Sequence, residues 1–266
     1  MKLADLKLRM QELEVHSKKS LGQNFLISET VIRRIIEAVE YENPDFLIEI
    51  GPGLGSLTEE MLQRRPRLIE LDSVLAEYWR SRGSEVIEHD ALKLKWEELG
   101  FAENTWLVSN LPYQISSSLV IDRCFGPRNL QGMILMFQKE VAQRLMAPPQ
   151  TSAYGLLSVM AQNFWIMDKV VDAAPRDFHP APKIASRVLR FRRKPEIGLE
   201  KTFLTFLKAA FGQRRKFLLK NLKQLGHKKG FTWEQALESL KINLKARAEE
   251  ISPAQFAAIY GLWKNT

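Results

Sequence analysis

Asn110-Leu111-Pro112-Tyr113 is the stretch of the chain with the most specific chemistry. An exocyclic amine on a nucleobase is a poor nucleophile because its lone pair is delocalised into the ring. Two acceptors that hold both amino hydrogens would localise that lone pair toward an electrophilic methyl group. The Asn110 side-chain oxygen and the Leu111 backbone carbonyl are such a pair. Pro112 fixes the turn that aims them, and Tyr113 offers an aromatic face to the base. No general base is needed, since the methylated amine can lose its proton to water, and orientation supplies most of the rate. In isolation the tetrapeptide reads equally well as a turn before a helix with a core tyrosine.

A second set of residues has the makings of a cofactor site. Glu49-Ile50-Gly51-Pro52-Gly53-Leu54-Gly55 closes an apolar run with three alternating glycines. Such a turn lets the backbone bend sharply and approach a ligand closely. The spacing is G-x-G-x-G, not the G-x-G-x-x-G of a dinucleotide site, and no G-K-[ST] of a phosphate loop follows. Glu70 ends the next apolar run, where a carboxylate takes the hydroxyls of a ribose. Asp90, with Ala91 beside it, ends the third, where a carboxylate can accept from an adenine amino group. Each acid alone reads as a solvated strand end. Together with the glycine turn they lie along the carboxyl edge of one sheet, the expected ligand crevice. Without a phosphate motif, an adenosyl cofactor such as S-adenosyl-L-methionine fits better than a dinucleotide.

These residues need a scaffold, and the apolar pattern predicts one. Val31, Ile35, Ile36 and Val39 recur at helical spacing, and Phe46 to Ile50 is a short buried strand. Further strand-like runs lie at 68–71, 85–89, 105–109 and 133–137, with helix-like stretches at 57–64, 74–82, 116–125 and 139–146. Alternation of this kind predicts an α/β fold, a parallel sheet covered on both faces. Residues 153–193 read as one more helix and two strands around the proline-rich 177–183. After Lys194 the style changes. Phe203, Phe206, Leu207, Ala210 and Phe211 form one helical stripe that reads as core, and Ser252-Pro253 opens a last helix. The expected domains are 1–194, with an N-terminal extension over 1–20, and a small all-α domain over 195–266.

The charge is uneven. The 266 residues hold 39 Lys and Arg against 31 Asp and Glu, a net +8. Between Arg176 and Lys229 there are 16 basic residues and three acids, so that block is +13 and the remainder −5. A basic block on a mildly acidic body points to a polyanionic partner. Arg214, Arg215 and Lys216 begin a predicted helix on which Lys216, Lys220 and Lys223 share a face. With Lys183 and Arg187 they are candidates for phosphate contacts. Phe178, on a loop stiffened by Pro180 and Pro182, reads either as a loop anchor or as an aromatic that stacks a flipped-out base against Tyr113. No apolar run approaches the roughly 20 residues of a membrane span, and residues 1–20 lack the apolar core of a secretory signal. The single cysteine, Cys124, forms no internal disulfide or cysteine-based zinc site. A cytoplasmic protein without structural metal is expected.

Taken together, KKSLGQNFL (18–26), EIGPGLGSLTE, IELD, HDAL, SNLPYQIS, FQKEVAQRL, the segment 178–188, AFGQRRK and RAEEISPAQF resemble, in order, the KsgA/RsmA family of ribosomal RNA adenine dimethyltransferases. The resemblance spans about residues 16–260. It implies a Rossmann-like class I methyltransferase domain followed by a small all-α C-terminal domain. It also implies dimethylation at N6 of two adjacent adenines in the 3′-terminal hairpin of small-subunit ribosomal RNA, on an immature 30S subunit. By position, Asn24, Leu26, Gly51, Glu70, Asp90 and Asn110 match the family's S-adenosyl-L-methionine contacts. Asn110 to Tyr113 match its catalytic tetrapeptide, and Phe178 an aromatic that packs on the target base. The connections 58–70 and 72–90 are shorter than the family's, so Asp72 stands beside Glu70 as a candidate ribose ligand. Residues 1–15 match nothing in the family pattern. Two alternatives stay open: a large-subunit enzyme of the macrolide-resistance type, and a non-catalytic RNA-binding ribosome assembly factor. A monomer is the default for an enzyme that docks on a much larger particle.

Overall fold

The computed structural model describes residues 3–14, 24–195, 198–226, 228 and 230–265. The motif residues Lys18 to Gln23 lie outside the described residues. The elements in chain order are α1 (Leu3–Glu12), β1 (Phe25–Leu26), α2 (Glu29–Glu42), β2 (Phe46–Ile50), α3 (Thr58–Met61), β3 (Arg67–Glu70), α4 (Ser73–Ser81), β4 (Val86–Glu88) and β5 (Thr105–Ser109). They continue with α5 (Tyr113–Cys124), β6 (Leu130–Gln138), α6 (Lys139–Met146), α7 (Leu156–Phe164), β7 (Trp165–Ala173), β8 (Phe178–His179), β9 (Ser186–Arg193), α8 (Thr202–Ala210), α9 (Leu218–Leu222), α10 (Trp233–Ser239) and α11 (Pro253–Lys264). Among the described residues no helix is long and apolar enough to cross a membrane.

The chain divides into two compact units, one of residues 1–142 with 166–193, the other of 143–165 with 194–266. The second unit therefore takes in 143–165, including α7, which the expected division at Lys194 assigned to the first domain.

In the first unit a seven-stranded sheet runs in the order β4-β3-β2-β5-β6-β9-β7. The pairs from β4 through β6 are parallel, while β9 runs antiparallel to β6. The sheet is thus mixed, not all parallel as the alternation implied. The reason is local: β7 and β9 are joined by the 174–185 connection, which has no crossover helix to return the chain in the parallel sense. Of the α2 stripe expected from the apolar spacing, Val31, Ile35 and Val39 are buried against Leu47, Val108, Ile134, Met136 and Val188, Ile36 is only partly buried, and Ile32, outside the expected stripe, joins the core. Asn43 ends that helix in the left-handed region at φ 44°, donating to Val39 O and Glu40 O, both at 3.1 Å. The connection from Thr58 to β3 holds only the single turn of α3 and a 3-10 turn over 62–64.

The second unit is built around aromatic rings. Phe203 and Phe206 are fully buried, and Phe203 meets Tyr260 edge-on with ring centroids 5.1 Å apart. Phe206 lies 6.4 Å from Phe256 and 6.1 Å from Trp263. Tyr154 donates to Ile251 O at 2.6 Å, and Asn163 Nδ2 to Pro253 O at 3.1 Å, so α7 and the start of α11 are fixed to each other. Ser252 caps α11 by accepting from Gln255 N, and Gln255 Oε1 accepts in return from Ser252 N at 3.0 Å.

One close approach sets the spacing of the strands that carry the site. A Cβ at Gly132 on β6 would lie 2.4 Å from the ring of Trp106 on β5, and that ring is buried and held by Asn104 at 2.9 Å. Gly132→Ala is expected to lower unfolding stability by about 1–3 kcal/mol through overpacking. An unchanged urea midpoint would contradict this packing.

Candidate active site

Sheet register brings the predicted residues together before any side chain is considered. Glu49 pairs with Val108, so two residues further on Gly51 and Asn110 stand side by side beyond the ends of β2 and β5. Ile50 pairs with Ile69, which puts Gly51 beside Glu70, and Glu70 pairs with Glu88, two residues before Asp90. From β2 the sheet order proceeds to β3 and β4 on one side and to β5 and β6 on the other. That reversal opens a crevice at the carboxyl ends.

The crevice is a cleft of about 1180 Å³ including its open mouth, and its walls include Asn24, Leu26, Glu49, Gly51, Gly53, Glu70, Asp90, Ala91 and the whole of Asn110 to Tyr113. Phe25, Ser56, Leu71 and His89 also line it and were missed by sequence reasoning. Leu71 lies just past the end of β3 and is 55% exposed.

Each wall is held by identifiable bonds. At the glycine turn, Gly51 N donates to Ile69 O at 2.8 Å and Gly55 N to Pro52 O at 2.9 Å, while Trp79 Nε1 on α4 donates to Gly53 O at 2.9 Å. Gly51, Gly53 and Gly55 all have positive φ, which disfavours any residue with a Cβ. Glu70 accepts from Leu71 N (2.8 Å), Asp72 N (2.9 Å) and, more weakly, Gly53 N (3.3 Å). Burial nevertheless pushes its carboxyl above the usual range against those three donors. Asp72 is buried too, but its Oδ1 accepts from Val74 N at 3.1 Å and caps α4. Glu70, not Asp72, is therefore the acid in the wall. Asp90 is fixed by Leu92 N at 2.9 Å.

Glu49 is the least satisfied of the acids. It is 2% exposed and its Oε2 has no hydrogen-bond partner. Burial drives its pKa up to about 8, with the neighbouring Glu70 charge adding to the rise and the Thr58 hydroxyl opposing it. An unpartnered buried oxygen in the wall of a cleft leaves an acceptor position open there.

On the other wall, Asn110 Nδ2 donates to Asn24 O at 3.0 Å. That bond fixes the orientation of the amide, since only the NH₂ side can donate, and leaves Oδ1 as an acceptor. The Tyr113 hydroxyl pairs with Ser186 Oγ at 2.7 Å, and burial raises its pKa. Asn24 is itself carried by a built strand: β1 pairs antiparallel with β8, Leu26 opposite Phe178, and Ser56 Oγ donates to Leu26 O at 2.6 Å.

Two expected residues do not line the cleft. Phe178 is 3% exposed and packs in the core cluster with Leu26, Val31 and Ala173. It anchors β8 and presents no face to a base, because the strand pairing that holds Leu26 turns the ring inward. Gly55 is a packing glycine: a Cβ there would lie 2.6 Å from the Trp79 ring.

A profile of the family described as ribosomal RNA adenine dimethylase matches residues 15–264. The chain is 52% identical over 259 residues to the ribosomal RNA small subunit methyltransferase A of Bdellovibrio bacteriovorus, covering 95% of this chain and 94% of that one. The protein of the same name from Clostridium perfringens is 36% identical, covering 97% and 95%. The chain belongs to the ribosomal RNA adenine dimethylase family. Among solved structures, a dimethyladenosine transferase from Plasmodium falciparum superposes with a TM-score of 0.76 at 25% identity, covering 91% of this chain and 98% of that one. The 23S rRNA methyltransferase ErmE does so at 0.64 and 26%, covering 90% and 98%.

In this dimethylase-family chain the basic block serves two ends. Arg187, expected at RNA, is held bidentately by Asp172 at 2.6 and 3.0 Å. Arg190 and Arg192 are likewise tied to Glu42 and Asp168. These side chains cross-link β9 within the first unit. In the second unit α9 spans only Leu218–Leu222, so Lys216 sits in the turn before it and Lys223 in the 3-10 turn after it. The expected common face across 216–223 is not formed. Lys223 pairs with Glu234 at 2.7 Å, and Arg214 reaches Glu249 at 3.4 Å, both exposed contacts of small worth. Lys183, Arg215, Lys216 and Lys220 are exposed, and between Lys216 and Leu218 stands Phe217, 47% exposed, which sequence reasoning passed over.

The Glu49 carboxyl makes stability pH-dependent. With a pKa near 8 when folded and 4.5 as the ordinary value, the folded chain keeps a proton that the unfolded chain loses over that interval. Stability therefore falls as pH rises between those values. Glu49→Gln is expected to flatten that fall in thermal denaturation of the ligand-free protein. An identical slope in the two proteins would refute the assignment.

Proposed function

We propose that the chain transfers methyl groups from S-adenosyl-L-methionine to N6 of two adjacent adenines in the 3′-terminal hairpin of small-subunit ribosomal RNA, on an immature 30S subunit. The observation that carries this reading is the orientation of Asn110, whose amide donates to Asn24 O and so leaves its oxygen as the acceptor in the wall of an acid-lined cleft.

The cofactor fits the donor set. Glu70 is pre-arranged by three backbone amides to accept from ribose hydroxyls. Asp90 is placed to accept from an adenine amino group, with Ala91 and Leu71 as apolar neighbours. The buried Glu49 carboxyl suits the positive end of the ligand, and Asn24 and Leu26 complete the rim. When bound, S-adenosyl-L-methionine supplies an electrophilic methyl on a sulfonium.

The chain's own residues then act on the amine. Asn110 Oδ1 and the Leu111 carbonyl accept its two hydrogens and localise the lone pair. Pro112, at φ −55° and ψ 125°, holds the turn ahead of α5. Tyr113, anchored by Ser186, offers its ring to the base. With Phe178 in the core, Tyr113 is the aromatic of the tetrapeptide available for stacking. Docking on RNA falls to exposed cations that position phosphates without reading sequence. In the second unit these are Arg215, Lys216 and Lys220 around Phe217, with Arg214 and Lys223 engaged in weak pairs that a phosphate can displace.

Asn110→Ala is expected to lower methyl transfer by a hundredfold or more, on the order of losing one aimed polar group in a transition state, while cofactor affinity changes little. Full activity would sink the catalytic role. Incubating the protein with radiolabelled S-adenosyl-L-methionine and under-methylated small subunits should label the two hairpin adenines. Label in large-subunit RNA alone would favour the macrolide-resistance type, and no label at all a non-catalytic assembly factor. Charge reversal at Lys216 and Lys220 is expected to weaken small-subunit binding and flatten its salt dependence. Unchanged affinity across a salt titration would remove that surface from the proposal.

A further inference from the structure

We infer that α1, which lies outside the residues matched by the family profile, belongs to the cofactor machinery, with Arg9 as a positioning residue for the glycine turn. The inference rests on the reading of the cleft as an S-adenosyl-L-methionine site.

A ten-residue helix is marginal by itself in water, so α1 owes its form to what it packs on. Leu6 is fully buried in a cluster with Phe25, Leu54 and Leu75, flanked by Met10 and Leu13. Two of these partners belong to the site: Phe25 lines the cleft, and Leu54 is the central side chain of the Gly53-Leu54-Gly55 stretch. The Phe25 ring would be 3.2 Å from a Cβ built on Gly53, so the wall that faces the ligand and the wall that faces α1 are one layer of atoms.

Arg9 adds direction to that contact. Its Nη1 donates to Leu54 O at 2.6 Å and pairs with Glu59 Oε1 at 2.9 Å, while the guanidinium carbon lies 5.5 Å from the Tyr78 ring centroid. The turn it grips holds three glycines at positive φ and has more conformational freedom than any ordinary pentapeptide. Trp79 Nε1 grips the preceding carbonyl, Gly53 O, and Glu59 N donates to Gly55 O at 3.1 Å. Arg9 and Trp79 therefore restrain consecutive peptide planes, and Glu59 ties Arg9 to the helix turn that follows. Holding those planes in the ligand-free protein lowers the ordering cost of binding. Arg9 stands behind the glycine turn and is not among the residues that line the cleft, so its effect falls on cofactor affinity and not on the chemical step.

The test is calorimetric titration of S-adenosyl-L-methionine into the full chain, with steady-state kinetics on under-methylated small subunits. Arg9→Met keeps the stem on Tyr78 and removes the donors. It is expected to raise the Kd and KM for S-adenosyl-L-methionine about tenfold, the worth of one charge-assisted hydrogen bond. The kcat at saturating cofactor and the KM for subunits should stay within about twofold, by the separation of binding from chemical effects. Arg9→Lys, which restores one charged donor, should recover most of the affinity. Equal Kd values for wild type and Arg9→Met would overturn the role of Arg9, as would a loss of kcat with Kd unchanged, or a failure of Arg9→Lys to recover affinity when Arg9→Met has lost it. Absence of binding by the wild type would instead overturn the reading of the cleft, and with it the role given to α1.

Discussion

Parallel pairing of β2 with β5 governs the layout of the site, because the sheet builds outward from these two strands in opposite directions. The register of Glu49 with Val108 sets the glycine turn beside Asn110. A shift of that register by one residue would send Glu49 and its neighbours to the other face of the sheet. The depth of burial on both sides enforces the pairing: Leu47, Ile48, Leu107 and Val108 are all at or below 2% exposure. The Gly132 and Trp106 contact then fixes the next strand over. Core packing and site geometry are one constraint seen from two ends.

The electrostatics divide in the same way. The cleft holds three carboxyls, two of them pushed upward by burial. Keeping such acids together costs stability unless a cation or hydrogen-bond donor arrives. The basic residues at Arg187, Arg190 and Arg192 are meanwhile absorbed into cross-links to acids on neighbouring elements. A run of positive charge in a sequence thus overstates the cationic surface, since it does not tell which guanidiniums have carboxylates waiting for them.

Legibility follows the range of the interaction. The α2 stripe, the strand ends at Glu70 and Asp90, the glycine turn and the Ser252 cap are set by neighbours within a few residues, and all were readable. The division that gives 143–165 to the second unit and the burial of Phe178 depend on partners far along the chain. Phe178 is the clearest case. Its loop composition allowed either a stacking face or an anchor, and only the pairing with Leu26 decides between them. Leu71 and Phe25 were missed for a related reason, since an apolar side chain in a ligand wall has the same sequence signature as one in the core.

The short ladder between β1 and β8 has a consequence for biogenesis. Asn110 takes its orientation from Asn24, and Asn24 rides on a two-residue strand whose partner is Phe178–His179. During synthesis the glycine turn, the acids of the cleft wall and the tetrapeptide emerge from the ribosome well before that partner does. A nascent chain ending short of residue 179 holds every side chain named for the reaction but not the strap that aims the central one. The bond that orients Asn110 thus rests on a strand pair completed only by residues 178–179, late in the chain order of the first unit.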